Sequence, residues 1–180
     1  MRLDYLRVKV QGKLFRWDGI TLCNKINNLF RADGIKVGAK CRIYSDIRTS
    51  ESYLIEIGNN VSISTEVLFL THDNSVIKFC ENATDIFGKI EIGDNCFIGA
   101  RATILPGVKL ADSIVVGAGS VVTKSFTEAG SIIAGNPARI IGNIDNKREV
   151  LQKKCFNIEN MTAREKRNAI QQHSERIIKK

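Results

Sequence analysis

The chain has 180 residues, with 27 Lys and Arg against 19 Asp and Glu and a net charge of +8. That length suits one domain with a continuous core plus short terminal additions. No run approaches the roughly 18 apolar residues of a membrane span, and the start MRLDYLRVKVQGK has no signal-peptide apolar region, so a cytoplasmic location is expected. Five cysteines, odd in number and without a C-x-x-C pair, argue against a disulfide framework or a zinc cluster.

Residues 1–34 carry the weakest pattern. RVKVQGKLFRW alternates as a short strand does, and LCNKINNLF suits a helical turn or an irregular first coil, so 1–34 is taken as an irregular segment with Trp17 as a packing residue. From Val37 a period of six becomes visible. VGAKCR and IYSDIR are followed by a slip of two residues through TSESYLIE, after which IGNNVS and ISTEVL open on Ile57 and Ile63 and the frame continues with Phe69. Ile92 follows Phe69 by 23 residues. A regular frame of 18 would leave about five extra, which must leave the core as a projecting loop over 71–91.

From Ile92 the blocks read IGDNCF, IGARAT, ILPGVK, LADSIV, VGAGSV and VTKSFT. An aliphatic residue opens each one: Ile92, Ile98, Ile104, Leu110, Val116 and Val122. Neither a 3.6 helical period nor simple alternation produces a repeat of six. A three-faced coil does, with one block per face, the opener inward, and eighteen residues per turn. Cys41 and Cys96 hold the fifth place of their blocks, where small core residues fit. SIIAGNPARIIG adds a partial coil with a turn at Asn136-Pro137.

Beyond Asp145 the period becomes helical. Val150, Leu151, Cys155 and Ile158 fall on one face, and Thr162 with Glu165 forms a capping box opening a second helix. The segment 146–180 is therefore expected to be a helical extension covering the open end of the coils. Lys147–Lys154 and Arg164–Lys180 hold much of the positive charge. With no nucleic-acid motif and few aromatics for stacking, a solvated basic helix explains it better than a nucleic-acid partner. CoA, nucleotide-linked sugars or a lipid surface remain compatible with it.

IGDNCFIGARATILPGV, VVGAGSVVTKS and IIAGNPARIIG make residues 35–142 resemble the hexapeptide-repeat acyltransferases. The resemblance is to the branch of maltose, galactoside and xenobiotic acetyltransferases and polysaccharide O-acetyltransferases. It implies an all-β left-handed parallel β-helix over 35–145, a homotrimer, and acetyl-CoA bound between neighbouring subunits.

The resemblance also implies site residues. His72, one of two histidines, stands at the start of the projecting loop where the family carries its catalytic base. A neutral imidazole is suited to taking a proton from a hydroxyl acceptor as it attacks the thioester. Asp73 and Asn74 follow directly and could orient the ring or touch the acceptor; Asp46 and Glu66 are further candidate partners. In galactoside-type enzymes an asparagine one coil earlier touches the acceptor, whereas Tyr44-Ser45-Asp46 stands in that stretch here. For acetyl-CoA the pattern falls on Ala100 and Ala118, where small residues admit the pantetheine arm, on Thr123 and Lys124 at the nucleotide end, and on Arg139 near the 3′-phosphate. A second arginine often follows three residues later, where this chain has Gly142. The γ-class carbonic anhydrases share the fold but need three zinc-binding histidines, so no metal is expected.

The expected activity is acetyl-CoA-dependent O-acetylation of a saccharide, in surface polysaccharide biosynthesis. N-acetylation of an amino sugar nucleotide or of a xenobiotic is the enzyme alternative. A non-catalytic β-helix scaffold or nucleic-acid-binding module is the alternative of another class.

Overall fold

The computed structural model describes residues 3–159 and 161–178. The six openers of the regular blocks are all buried to 3 % exposure or less. Each ends a short parallel strand. Ile92 pairs with Leu110, Ile98 with Val116 and Ile104 with Val122, each eighteen residues on. Three sheets result. The first runs through Lys36–Val37, Ile55–Ile57, Ile90–Ile92 and Lys109–Leu110. The second contains Arg42–Ile43, Ser62–Ile63, Phe97–Ile98, Val115–Val116 and Ser131–Gly135, with Ala138–Asn143 beside the last. The third contains Leu68–Phe69, Thr103–Ile104 and Val121–Val122. The chain visits these sheets in rotation, so the core is a stack of aliphatic openers from all three faces.

A two-residue strand leaves the backbone little room to turn, and the corners show how it is done. At one corner Lys40, Asn60, Asn95 and Ser113 all take left-handed backbone angles. Side chains there hydrogen-bond from coil to coil. Asn59 Oδ1 accepts from the Ala39 N–H (2.9 Å), Asp94 Oδ1 from Asn59 N–H (2.7 Å), and Asp112 Oδ1 from Asp94 N–H (2.8 Å). These carboxamides and carboxylates satisfy amides that the short strands leave unpaired. At a second corner the coils approach so closely that a Cβ on Gly99 would lie 2.5 Å from the Ala118 nitrogen.

Past Val122 the frame shortens, with Leu110 bridging Phe126 and Val116 pairing with Ile133 at spacings of 16 and 17. Two insertions break it earlier in the chain. Val37 pairs with Ile57 and Ile43 with Ile63, a spacing of 20, so two residues are inserted in that turn. Ile57 pairs with Ile92, Ile63 with Ile98 and Phe69 with Ile104, a spacing of 35. Against eighteen this is seventeen extra residues, not five. The expected full coil between Phe69 and Ile92 does not exist: those residues span a single six-residue step, and everything else projects.

The N-terminal segment also differs from expectation. It is helical, with α1 over Leu3–Leu14 and α2 over Gly19–Ala32, not irregular and not a strand. Asp18 caps α2 by accepting from Thr21 N–H, and Cys23, Ile26, Asn27 and Phe30 form its buried stripe at i, i+3, i+4 and i+7. The local alternation in RVKV is overridden because α1 buries Tyr5 and Gly12, two helical turns apart. Tyr5 stacks on Phe30 and donates its hydroxyl proton to the Tyr44 carbonyl (2.9 Å), while Asn27 Nδ2 donates to the Cys41 carbonyl (2.8 Å). The helix pair thereby packs on the first coil. Cys41 and Cys96 are buried as their fifth places require.

Residues 142–180 form a separate compact unit. It holds α3, Ile144–Gln152, and α4, Ala163–Gln172, the latter opened by the expected Thr162–Glu165 capping box. The first of these helices is shorter than expected, so Cys155 and Ile158 lie beyond it. None of the described helices is long and apolar enough to cross a membrane.

Candidate active site

The larger insertion leaves and rejoins the coils through a narrow neck. His72–Asp73 pairs antiparallel with Ile86–Phe87, placing His72 opposite Phe87, and the Gly88 N–H donates to the Thr71 carbonyl (2.9 Å). The loop beyond the neck begins with a short 3-10 turn, Ser75–Lys78, that tucks Val76 inward. The imidazole therefore stands on paired backbone rather than on a free loop. Its side chain is 43 % exposed, so a substrate can reach it.

The smaller insertion supplies its partner. His72 Nδ1 lies 2.8 Å from Glu51 Oε2, and the Glu51 side chain is only 15 % exposed. Thr71 Oγ1 donates to the same oxygen at 2.8 Å, and the hydroxyls of Thr49 and Thr71 touch each other. The hydrogen bond to His72, followed by that from Thr71, holds the Glu51 carboxyl below its usual pKa. An ionised carboxylate only accepts, so Nδ1 must carry the proton of the neutral ring. Nε2 is left with its lone pair free to receive a proton. Spacing alone leaves Asp46 and Glu66 as candidate partners, but both are engaged elsewhere. Asp46 pairs with Arg48 (2.8 Å) and Glu66 with Arg101 (2.6 Å). The one signal in the sequence for Glu51 is that it lies within the two-residue slip of the repeat.

Asp73 is engaged within its own loop: its Oδ1 accepts from the Ser75 N–H (2.8 Å), which lowers its pKa. Asn74 is exposed at the start of the 3-10 turn. Beside His72 the chain forms a recess lined by Asp33, Ile47, Arg48, Thr49, Ser50 and Ser52. Arg48 also lines a larger neighbouring recess, with Tyr5, Lys9 and Tyr44.

The residues matched to acetyl-CoA fall into two groups. Ala100 and Ala118 sit at the same corner on successive coils, where Gly119 N–H donates to the Ala100 carbonyl (2.8 Å). Lys124 and Arg139 come together in one recess with Phe126 and Glu128, and the Lys124 ammonium stands 5.8 Å from the Phe126 ring centre. Thr123 is exposed next to Lys124. This recess and the one at His72 have no lining residue in common.

Comparison with known proteins gives this arrangement a class. A family model described as the hexapeptide repeat of succinyl-transferase matches residues 89–124. Protein CapG of Staphylococcus aureus is 40 % identical over 127 residues, which cover 68 % of this chain and 73 % of that protein. Galactoside O-acetyltransferase of Escherichia coli (strain K12) is 29 % identical over 126 residues, covering 69 % of this chain and 62 % of the enzyme. Among solved structures, a galactoside acetyltransferase in complex with coenzyme A has a TM-score of 0.54 at 25 % identity, covering 81 % and 83 % of the two chains. A hexapeptide-repeat acetyltransferase from Vibrio cholerae complexed with acetyl coenzyme A gives 0.54 at 27 % identity, covering 61 % and 60 %. The protein is thus an acyltransferase. It belongs to the hexapeptide-repeat acetyltransferase family, and the scaffold reading falls away.

Proposed function

We propose that the protein transfers the acetyl group of acetyl-CoA to a hydroxyl of a saccharide, with His72 as general base and Glu51 as the residue that orients it. The observation carrying this reading is the 2.8 Å contact of His72 Nδ1 with an ionised, largely enclosed carboxylate in a member of an acetyltransferase family. Nε2 takes the acceptor's hydroxyl proton as the oxygen attacks the thioester carbonyl carbon. Glu51 stabilises the imidazolium that forms. The tetrahedral intermediate collapses, the C–S bond breaks, and His72 returns the proton to the CoA thiolate.

The acceptor is placed in the recess beside His72, where Arg48, Thr49, Ser50 and Ser52 offer hydrogen-bonding groups and Asp46 steadies Arg48. Lys124 and Arg139 serve the phosphates of CoA, with Thr123 at their side, and the stacked Ala100 and Ala118 leave room for the pantetheine arm. A left-handed coil sense, assembly as a homotrimer with CoA between neighbouring subunits, and a role in surface polysaccharide synthesis in the cytoplasm belong to the same reading.

The test is CoA thiol release from acetyl-CoA against a panel of sugars, sugar nucleotides and chloramphenicol-type alcohols. His72→Ala is expected to lower acceptor-dependent release by about 10²–10⁴-fold with CoA binding intact. Undiminished release in that variant would overturn the assignment of the base, and an amine-only acceptor profile would replace O- by N-acetylation.

A further inference from the structure

The positive charge of this chain is concentrated at its end. Residues 142–180 contain ten Lys and Arg against five Asp and Glu, a net +5 of the chain's +8. Neither α3 nor α4 has a buried residue. Instead Val150 and Leu151 on α3, with Ile177 and Ile178 beyond α4, are 66, 43, 44 and 63 % exposed and line one recess together. Lys154 Nζ donates to the Glu175 carbonyl (2.7 Å) and fixes the two halves of that recess. Lys147, Val150, Leu151 and Lys154 recur at i, i+3, i+4 and i+7, so lysines bracket the aliphatic stripe along α3 and its C-terminal turn.

Two short helices without a core gain little from their own packing, so the aliphatic surface calls for cover from outside. Charge narrows the choice. A nucleic acid would answer the lysines and arginines but not four clustered aliphatic side chains. The segment's one Phe, Tyr or Trp is Phe156, which lies beneath the Arg176 guanidinium at 5.8 Å. An anionic bilayer answers both features. Aliphatic side chains enter the headgroup–acyl boundary, and lysine stems lie along them with their ammonium groups at lipid phosphates.

We infer that residues 142–178 form a docking surface for a membrane rich in anionic phospholipid, holding the enzyme at the bilayer face without spanning it. The inference stands apart from the assignment of His72 and survives its failure.

The experiment is co-sedimentation of the full chain with vesicles of equal phosphatidylglycerol and phosphatidylcholine, and with phosphatidylcholine alone. Binding is expected to the mixed vesicles, to weaken as salt rises, and to be lost without phosphatidylglycerol. Removing three charges in Lys147→Gln/Arg148→Gln/Lys153→Gln should weaken partitioning about 100-fold, roughly five-fold per charge. Val150→Asp/Ile178→Asp should abolish it while CoA release in solution stays at the wild-type rate. Equal sedimentation of wild type and both variants, or none with the mixed vesicles, would overturn the inference. So would heparin binding that outlasts vesicle binding, which would make the surface a polyanion site. A changed oligomeric state or lowered Tm in Val150→Asp/Ile178→Asp with vesicle binding intact would make the stripe a packing face or a cap on the coils.

Discussion

The regular coils from Ile90 to Val122 and the irregular coils from Val37 to Ile92 are built from the same six-residue block, yet they do different work. In the regular part every pairing advances by eighteen residues, and the corners repeat the same backbone angles and side-chain hydrogen bonds. Such a stack is rigid and has nowhere to converge side chains. The irregular part departs from the frame twice, by two residues and by seventeen. Glu51 sits in the first departure and His72 in the second, 2.8 Å apart across 21 positions of sequence. Each interruption alone would be a tolerated loop. Placed on adjacent coils, they bring a carboxylate to an imidazole. Regularity makes the scaffold, and the two breaks in it make the proposed site.

That contrast can be tested from both sides. The largest effect is expected in the regular core, where Ile98→Ala truncates a fully buried opener. Such a change costs about 2–5 kcal/mol, whereas Ile77→Ala, on the insertion and half exposed, should cost under about 1 kcal/mol. Denaturant unfolding of the two variants decides it, and equal losses would break the comparison.

Next comes the link between the two interruptions. Glu51→Gln keeps the shape but cannot stabilise an imidazolium, so kcat should fall roughly 10–100-fold with KM for acetyl-CoA unchanged. A merely structural Glu51 would lower the unfolding midpoint and leave kcat alone. Because its folded carboxyl lies below its usual pKa, Glu51 contributes stability that is complete at neutral pH. That contribution is lost as pH falls through the folded value, and the Gln variant should lack this acid-limb decline.

A smaller effect is expected at the far recess. Lys124→Ala/Arg139→Ala should raise KM for acetyl-CoA about ten-fold with little change in kcat. Acetyl-dephospho-CoA should then lose its disadvantage against acetyl-CoA, which would locate the 3′-phosphate at this pair.

The smallest lies where the N-terminal helices meet the first coil. Tyr5→Phe removes one hydrogen bond to the Tyr44 carbonyl and should cost about 1 kcal/mol. Burial pushes the Tyr5 phenol up to about 12. Its folded pKa is raised, so its contribution is full below the unfolded value near 10 and is lost as pH climbs from there toward 12. Wild type and Tyr5→Phe should therefore converge in stability over that alkaline window.

Much of this molecule is legible from its sequence. The period of six from Ile92 needs no tertiary information, because an inward aliphatic side chain every sixth residue has few geometric solutions, and the observed pairing follows it as far as Val122. The capping box at Thr162 is equally local, since donor and acceptor are three residues apart. His72 stands out as one of two histidines at the edge of a break in the frame. What the tertiary structure decided depends on separation. Whether 23 residues hold a coil or a single step is settled only by which strand the chain rejoins, and Ile57 paired with Ile92 answers it. The choice of Glu51 over Asp46 and Glu66 follows from the turn each insertion takes, which no spacing encodes. LCNKINNLF already offers a helical turn, which α2 bears out, but RVKVQGKLFRW reads as a strand because α1 has an alternating, weakly amphipathic sequence. It becomes a helix where Tyr5 and Gly12 find partners in the first coil and in α2, and those contacts exist only once the coil has formed.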